Sequence, residues 1–176
     1  MKKNLLLVFA FVSLVISSCK KESTKDDTTT EVNTWTFTEG SKTFEGKLLI
    51  DANLNTYLQA NNTYNLGILG FENTSGYLFN TVLSLADTTF TTKTYQSGIG
   101  GNEYLNAFYY MESAASIDNI YKSSNLDPGP VMTYTITSYD AVKEIVTITF
   151  SGKAQIDDNG NMATITNGRV TAKVEK

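Results

Sequence analysis

From Trp35 to Val174 apolar and polar residues alternate with a period of two, and this restricts the chain to β-structure more than any other feature does. Successive side chains of an extended strand point to opposite faces, so every second residue can enter a common core. Trp35 and Phe37 share such a face, as do Phe44, Leu48 and Ile50, and then Leu66 and Ile68. Tyr77, Phe79, Leu83 and Leu85 continue the pattern, followed by Tyr104, Phe108 and Tyr110, then Met132, Tyr134 and Ile136. Val146, Ile148 and Phe150, and finally Val170, Ala172 and Val174, close it. Turn-forming residues lie between these runs, at Glu39-Gly40-Ser41, Asn73 to Gly76, Gly98 to Asn102, Asp127 to Pro130 and Asp157 to Asn161. Helical spacing occurs only at Leu54, Tyr57 and Leu58 and at Ile117, Ile120 and Tyr121, each enough for one turn. The reading is all-β: an antiparallel β-sandwich or distorted barrel of about eight to ten strands. It forms a single domain over 34–176, long enough to bury roughly two-thirds of its unfolded surface. No repeat of 20 to 50 residues is present, which excludes a repeat array.

The first residues obey a different logic. Lys2 and Lys3 precede the apolar run Leu5 to Ile16, which at about 1.5 Å per residue falls short of the roughly 20 residues a membrane crossing needs. Residues 1–18 therefore read as a signal peptide. Ile16-Ser17-Ser18-Cys19 then resembles the lipobox of bacterial lipoproteins. That resemblance implies cleavage after Ser18 and lipidation of Cys19, with the membrane as a partner through the lipid. Cys19 is the one cysteine in the sequence, so no intramolecular disulfide can form. Each buried CH₂ contributes about 0.8 kcal/mol, and the two or three acyl chains implied by the resemblance hold firmly where one would not.

Removal of Lys2 and Lys3 leaves 12 basic against 18 acidic side chains, a formal charge of −6. That balance argues against nucleic acid, anionic headgroups and phosphate-rich ligands. Lys20 to Asn33, with one apolar residue in fourteen, cannot offset the entropy of ordering, so 19–33 reads as a lipidated flexible tether. Lys20-Lys21-Glu22 resembles the charged start of surface-exported lipoproteins of Bacteroidota-type bacteria. The implied address is the cell envelope, lipid-anchored at the outer membrane, facing either the surface or the periplasm.

A second resemblance lies in the last forty residues. Ile136-Thr137-Ser138-Tyr139-Asp140, then Val146 to Gly152, then Ile165-Thr166-Asn167-Gly168-Arg169-Val170 resembles the C-terminal half of small uncharacterised Bacteroidota-type lipoproteins. In these a strand ending in an aromatic-Asp turn precedes an "IT-x-G-x-F" closing strand; Val170 here replaces the aromatic. The resemblance implies fold and address and carries no activity. Asp27-Thr28-Thr29 and Asp87-Thr88-Thr89 resemble the Asp-Thr-X acceptor of general O-glycosylation in such bacteria, which implies Thr28 and Thr88 as modification sites.

Chemistry is restricted by what the sequence lacks. It has no histidine, which removes Ser-His and Cys-His nucleophiles and imidazole metal sites. With Cys19 taken by lipid, carboxylates, tyrosines, lysines and hydroxyls remain, and no cofactor is called for. Glu39 and Glu45 are the pair to nominate for glycoside hydrolysis, which needs two carboxyls about 5–10 Å apart across a cleft. Asp157-Asp158-Asn159-Gly160-Asn161 is rich in oxygen ligands but lacks calcium-loop register, and a turn with positive φ at Asn159 or Gly160 explains it better. No metal is expected. Tyr104 to Met111 has bulky residues on both faces, as a strand buried on both sides would. The same segment offers Tyr104 and Tyr110 to stack on a sugar, with Asn106 for its hydroxyls. The leading expectation is a non-enzymatic, surface- or periplasm-facing module binding a glycan or protein. A structural envelope-assembly lipoprotein is the second and a carboxylate-dependent glycosidase the third. Exposed tyrosines would favour the first and buried aromatics the second.

Overall fold

The structure, a computed structural model, describes residues 31–49, 51–56, 63–97, 106–112, 119–125, 129–156 and 159–175. Cys19, Thr28 and Tyr104 lie outside these residues. Eleven strands follow one another: β1 (Thr34–Glu39), β2 (Lys42–Leu48), β3 (Ala52–Thr56), β4 (Tyr64–Glu72), β5 (Leu78–Leu85) and β6 (Thr94–Gln96). β7 (Ala107–Met111), β8 (Asn119–Ser124), β9 (Met132–Asp140), β10 (Ile145–Gln155) and β11 (Met162–Glu175) complete the order, with no helix among the described residues.

Eight of them close into an antiparallel barrel. Around the ring β1 pairs with β2, then follow β4, β5, β7, β8, β10 and β11, which returns to β1. Of the two architectures the alternation allows, the chain forms the barrel, and β3, β6 and β9 are additions to it. β3 runs parallel to β11 at Val174 and Glu175 and antiparallel to β4 at Tyr64 to Gly67, beyond the stretch where β2 pairs with β4. β9 covers the edge of β10 from Ile145 to Gly152, so β8 meets β10 at one registered pair, Lys122 with Gln155. β6 lines the outer edge of β9.

At the two places with helical spacing the described residues are strand, while Tyr57, Leu58 and Ile117 lie outside the described residues. Leu54 lies on β3, and Ile120 and Tyr121 lie on β8, where Tyr121 is buried against Tyr110 and Phe44. The serines that follow Tyr121 disguised this strand. Ser123 is buried and hydrogen-bonded, so a polar letter occupies an inward position.

Alternation fills the barrel as the period of two requires. An eight-stranded barrel is just wide enough to be packed by side chains. Here Trp35, Phe37, Phe44, Phe79, Phe108, Tyr110 and Phe150 fill it, with Trp35 stacked on Phe79 at 4.5 Å and Phe37 on Phe44 at 4.7 Å. Trp35 is 2% exposed, as its place on the first strand predicts. Asn33, assigned above to the tether, belongs to the barrel. It adopts φ +60°, its carbonyl accepts from Leu48 N–H, its amide donates to Asp51, and its side-chain oxygen accepts from Lys173 N–H. The chain thus enters at the pole where β2 ends and β11 finishes. The turns β1–β2, β4–β5 and β10–β11 lie at the opposite pole.

Candidate functional site

Of the three residues expected to meet a ligand, Asn106 and Tyr110 are turned inward, and Tyr104 lies outside the described residues. Tyr110, 1% exposed, packs its ring against Trp35, Phe37, Phe44 and Tyr121, so it has no face for a sugar to stack on. Asn106 is 5% exposed and both ends of its amide are occupied by main chain. Its oxygen accepts from Ser84 N–H at 3.0 Å and its nitrogen donates to the Gln96 carbonyl at 3.0 Å. The side chain therefore ties β5 to β6 where no ladder joins them, which is a structural task.

The Tyr110 hydroxyl ends at the loop-bearing pole beside Glu72, a carboxylate only 8% exposed. Burial alone would raise the Glu72 carboxyl. Hydrogen bonds from Ser75, Tyr110 and Thr74 and the charge of Lys42 outweigh it and hold the group below its ordinary value. Burial and this carboxylate in turn push the Tyr110 phenol up. Gly76 N–H donates to the Glu72 carbonyl and Tyr77 N–H to Ser75 Oγ, so the cluster fixes the β4–β5 turn to β7.

The two carboxylates nominated for hydrolysis do not face each other. Glu39 continues the inward row of Trp35 and Phe37 at the barrel mouth, where its charge raises the Tyr121 phenol after burial has done so. Glu45 pairs with Thr36 on the outward row of the same ribbon and is exposed. A strand's alternation separates them, so they cannot flank one glycosidic bond. At the tip of β10–β11, Ile156 N–H donates to the Asn161 carbonyl and Gly160 has φ +83°, the hairpin expected there. Asp157 and Asp158 lie outside the described residues. Among the described residues no group of three or more acidic or cysteine ligands could hold a metal. Thr88 is half-buried in a turn in which Asp87 accepts from Thr89 N–H and hydroxyl.

The outer wall over β6, β9, β10, β11, β1 and β2 holds the arrangement that sequence reading missed. Register partners form a continuous row of outward side chains: Thr94, Thr135, Thr149, Arg169, Thr36 and Glu45. Arg169, the only arginine of the chain, stands at its centre and separates two shallow depressions. One, of about 420 Å³, is lined by Thr133, Thr135, Thr149, Ser151, Asn167 and Arg169 over the strand backbone at Phe150 and Gly168. The other, of about 240 Å³, includes Glu31, Lys47, Glu45 and Asn73. Lys47 is paired with Glu31 at 2.7 Å. Arg169 makes no hydrogen bond or ion pair among the described residues. A signal was present in the sequence: a single arginine beside an Asn-Gly pair inside a long strand pattern.

A bulge builds this wall. Thr166 and Asn167 together oppose Ser151, between the register pairs Phe150 with Gly168 and Gly152 with Ile165. Strict alternation from the buried Ile165 would send Asn167 into the core. The extra residue, with Asn167 at φ +52°, turns it outward instead and puts Gly168 inside. A Cβ on Gly168 would overlap the Phe150 ring, so glycine is required there.

No family model, curated protein or solved structure matches the chain.

Proposed function

We propose that the protein is a lipid-anchored, non-enzymatic module of the bacterial cell envelope, held at the outer membrane through Cys19 and binding an extracellular ligand on its outer wall. Ile16-Ser17-Ser18-Cys19 supports the anchor, and the polar stretch up to Val32 supports a tether. The observation that carries the binding reading is the division of the barrel. Its inside is filled by packed aromatics, while one outer wall presents hydroxyls around an arginine that has no partner among the described residues. Ligand contacts on such a molecule fall on the wall and not in a lumen.

The same burial of Trp35, Phe108 and Tyr110 favours a second reading, a structural envelope lipoprotein that binds no small molecule. Two experiments separate these. Cys19→Ala should remain unprocessed or leave the salt-washed membrane fraction; retention there equal to the parent would refute the anchor. The full-length lipoprotein in detergent, applied to a glycan array, should bind a discrete set of glycans. A blank array, with the anchor intact, would leave the structural reading.

A further inference from the structure

We propose that the depression beside Arg169 binds the carboxylate of an acidic sugar, within a glycan whose acidic units are separated by neutral ones. This rests on the reading of the chain as a binding module and assigns its site and ligand class.

The lining is the first argument. Four hydroxyls, one amide and one guanidinium surround the depression, and no carboxylate or exposed aromatic ring does. Hydroxyls both donate and accept, which matches sugar hydroxyls, and the apolar stems of the threonines can lie against the faces of a sugar ring. A guanidinium presents a planar fork of donors suited to a carboxylate, and this one is unpaired among the described residues. The nearest carboxylate on the row, Glu45, is separated from Arg169 by the whole of β1.

Spacing is the second argument. Thr94, Thr135, Thr149 and Arg169 occupy four adjacent strands, so their side chains recur at the inter-strand distance of about 4.8 Å. That step is close to the advance of one pyranose unit along an extended glycan. A chain laid across the strands would meet a polar group at each unit and the guanidinium at one of them. The row is partly pre-ordered, since Thr94 and Thr135 hydroxyls lie 3.3 Å apart and Gln96 donates to Thr133 at 3.5 Å.

Charge sets the ligand class. The mature chain carries −6 by the composition, and Arg169 is the one arginine against it. A densely anionic polymer is repelled by the body as a whole, while a sparsely charged one needs a single cation at the right place. The bulge adds a structural argument. It places a non-glycine residue in the left-handed region to turn Asn167 onto the wall beside Arg169, and such conformations concentrate at functional positions.

The test uses the full-length lipoprotein in detergent and three probes: a hyaluronan hexasaccharide, its carboxyl-reduced form, and a neutral chito-oligosaccharide of equal length. Calorimetry should show binding of the first, weakened at least tenfold on carboxyl reduction, with the neutral oligosaccharide no better than the reduced probe. Arg169→Gln should lose at least tenfold and Arg169→Lys a smaller factor, since lysine keeps the charge but not the fork. Asn167→Gly, which keeps the bulge and removes the amide, should weaken binding severalfold. Unchanged melting temperatures in these variants establish that the barrel is intact. Equal binding by parent and Arg169→Gln overturns the site, even if the array of the previous section shows that glycans bind elsewhere. Equal binding of the native and reduced probes overturns the ligand class, and no binding of any probe overturns the proposal while leaving the anchored module standing.

Discussion

The indole of Trp35 lies where a side chain on Gly70 would begin: a Cβ there would stand 2.7 Å from Nε1 and 2.5 Å from the Lys47 carbonyl. Gly46, the register partner of Trp35, is covered in the same way by the indole and by the Phe71 carbonyl. Two glycines on facing strands therefore let the largest core ring reach across the β2–β4 seam. Gly70→Ala should cost about 3 kcal/mol, the upper part of the overpacking range, because backbone and a fixed ring must both move. Gly46→Ala should cost at least as much. Urea unfolding of the variants checks both, and values within 0.5 kcal/mol of the parent, roughly the scatter of surface substitutions, would contradict the close contact.

Trp35 itself is a core residue stacked on Phe79 and Phe37. Trp35→Ala should cost about 3–5 kcal/mol. Its emission in the folded parent should be that of a buried indole, shifted well to the blue of free tryptophan. Its Nε1 has no hydrogen-bond partner among the described residues. Trp35→Phe, which removes that unpartnered donor, should therefore cost clearly less than Trp35→Ala in the same unfolding measurement.

Asn106 gives a prediction that separates a clamp from a ligand contact. Asn106→Leu removes the acceptor of Ser84 N–H and the donor to the Gln96 carbonyl and should destabilise by about 2–4 kcal/mol. Glycan affinity of the folded fraction should stay unchanged. A variant of parental stability that no longer binds would reverse the assignment.

Stability should fall in acid partly through Glu72. Its carboxyl is held below the ordinary value, so near about pH 4.3 the unfolded chain binds more protons there than the folded one. The contribution is complete above the ordinary carboxylate range and is lost as pH falls through the lower, folded value. Glu72→Gln should be less stable than the parent near neutrality, and the gap should narrow on acidification. A gap constant from pH 7 to pH 3 would contradict this. Asp140, held below its ordinary value by the Lys143 and Val142 N–H groups, titrates in the same sense and remains in both proteins.

For the Asp-Thr-X sites the expectation is asymmetric. Asp87 is engaged with Thr89, and Thr88 is half-buried between them. Surplus hexose mass on native mature protein should therefore map to Thr28 and not Thr88. Peptide mapping after intact-mass measurement decides it, and modification at Thr88 alone would reverse the order.

Strand faces were legible wherever burial followed hydrophobicity. The rows through Trp35 and Phe37, Phe79 and Leu83, and Val146 and Ile148 all point inward. Reading failed where inward residues are polar or where the strand is short. β8 hides its periodicity behind Ser123, and β6 has three residues, of which none is fully buried. Tyr110 and Asn106 were proposed as contacts because a letter shows amphipathic character but not which end is buried. Closure of the barrel left little local trace, since it depends on pairs such as Trp35 with Val170 and Gly46 with Glu72. The closing strand through Asn167 and Gly168 was expected, but only the register on both sides shows the bulge within it.

The pairing of β1 with β11 also sets an order of events in folding. Thr34 meets Thr171 and Trp35 meets Val170, so the first strand finds one of its two neighbours in the last. Such a topology is rich in contacts distant along the chain, and ring closure waits for loop-closure entropy to be overcome over nearly the whole domain. Until β11 is present, Trp35 and Phe37 have no complete cavity to enter. A nascent chain cannot shut this barrel early. Under the export proposed above, the chain would cross the membrane as an extended polypeptide, and that delay would keep it translocation-competent until the last strand arrives.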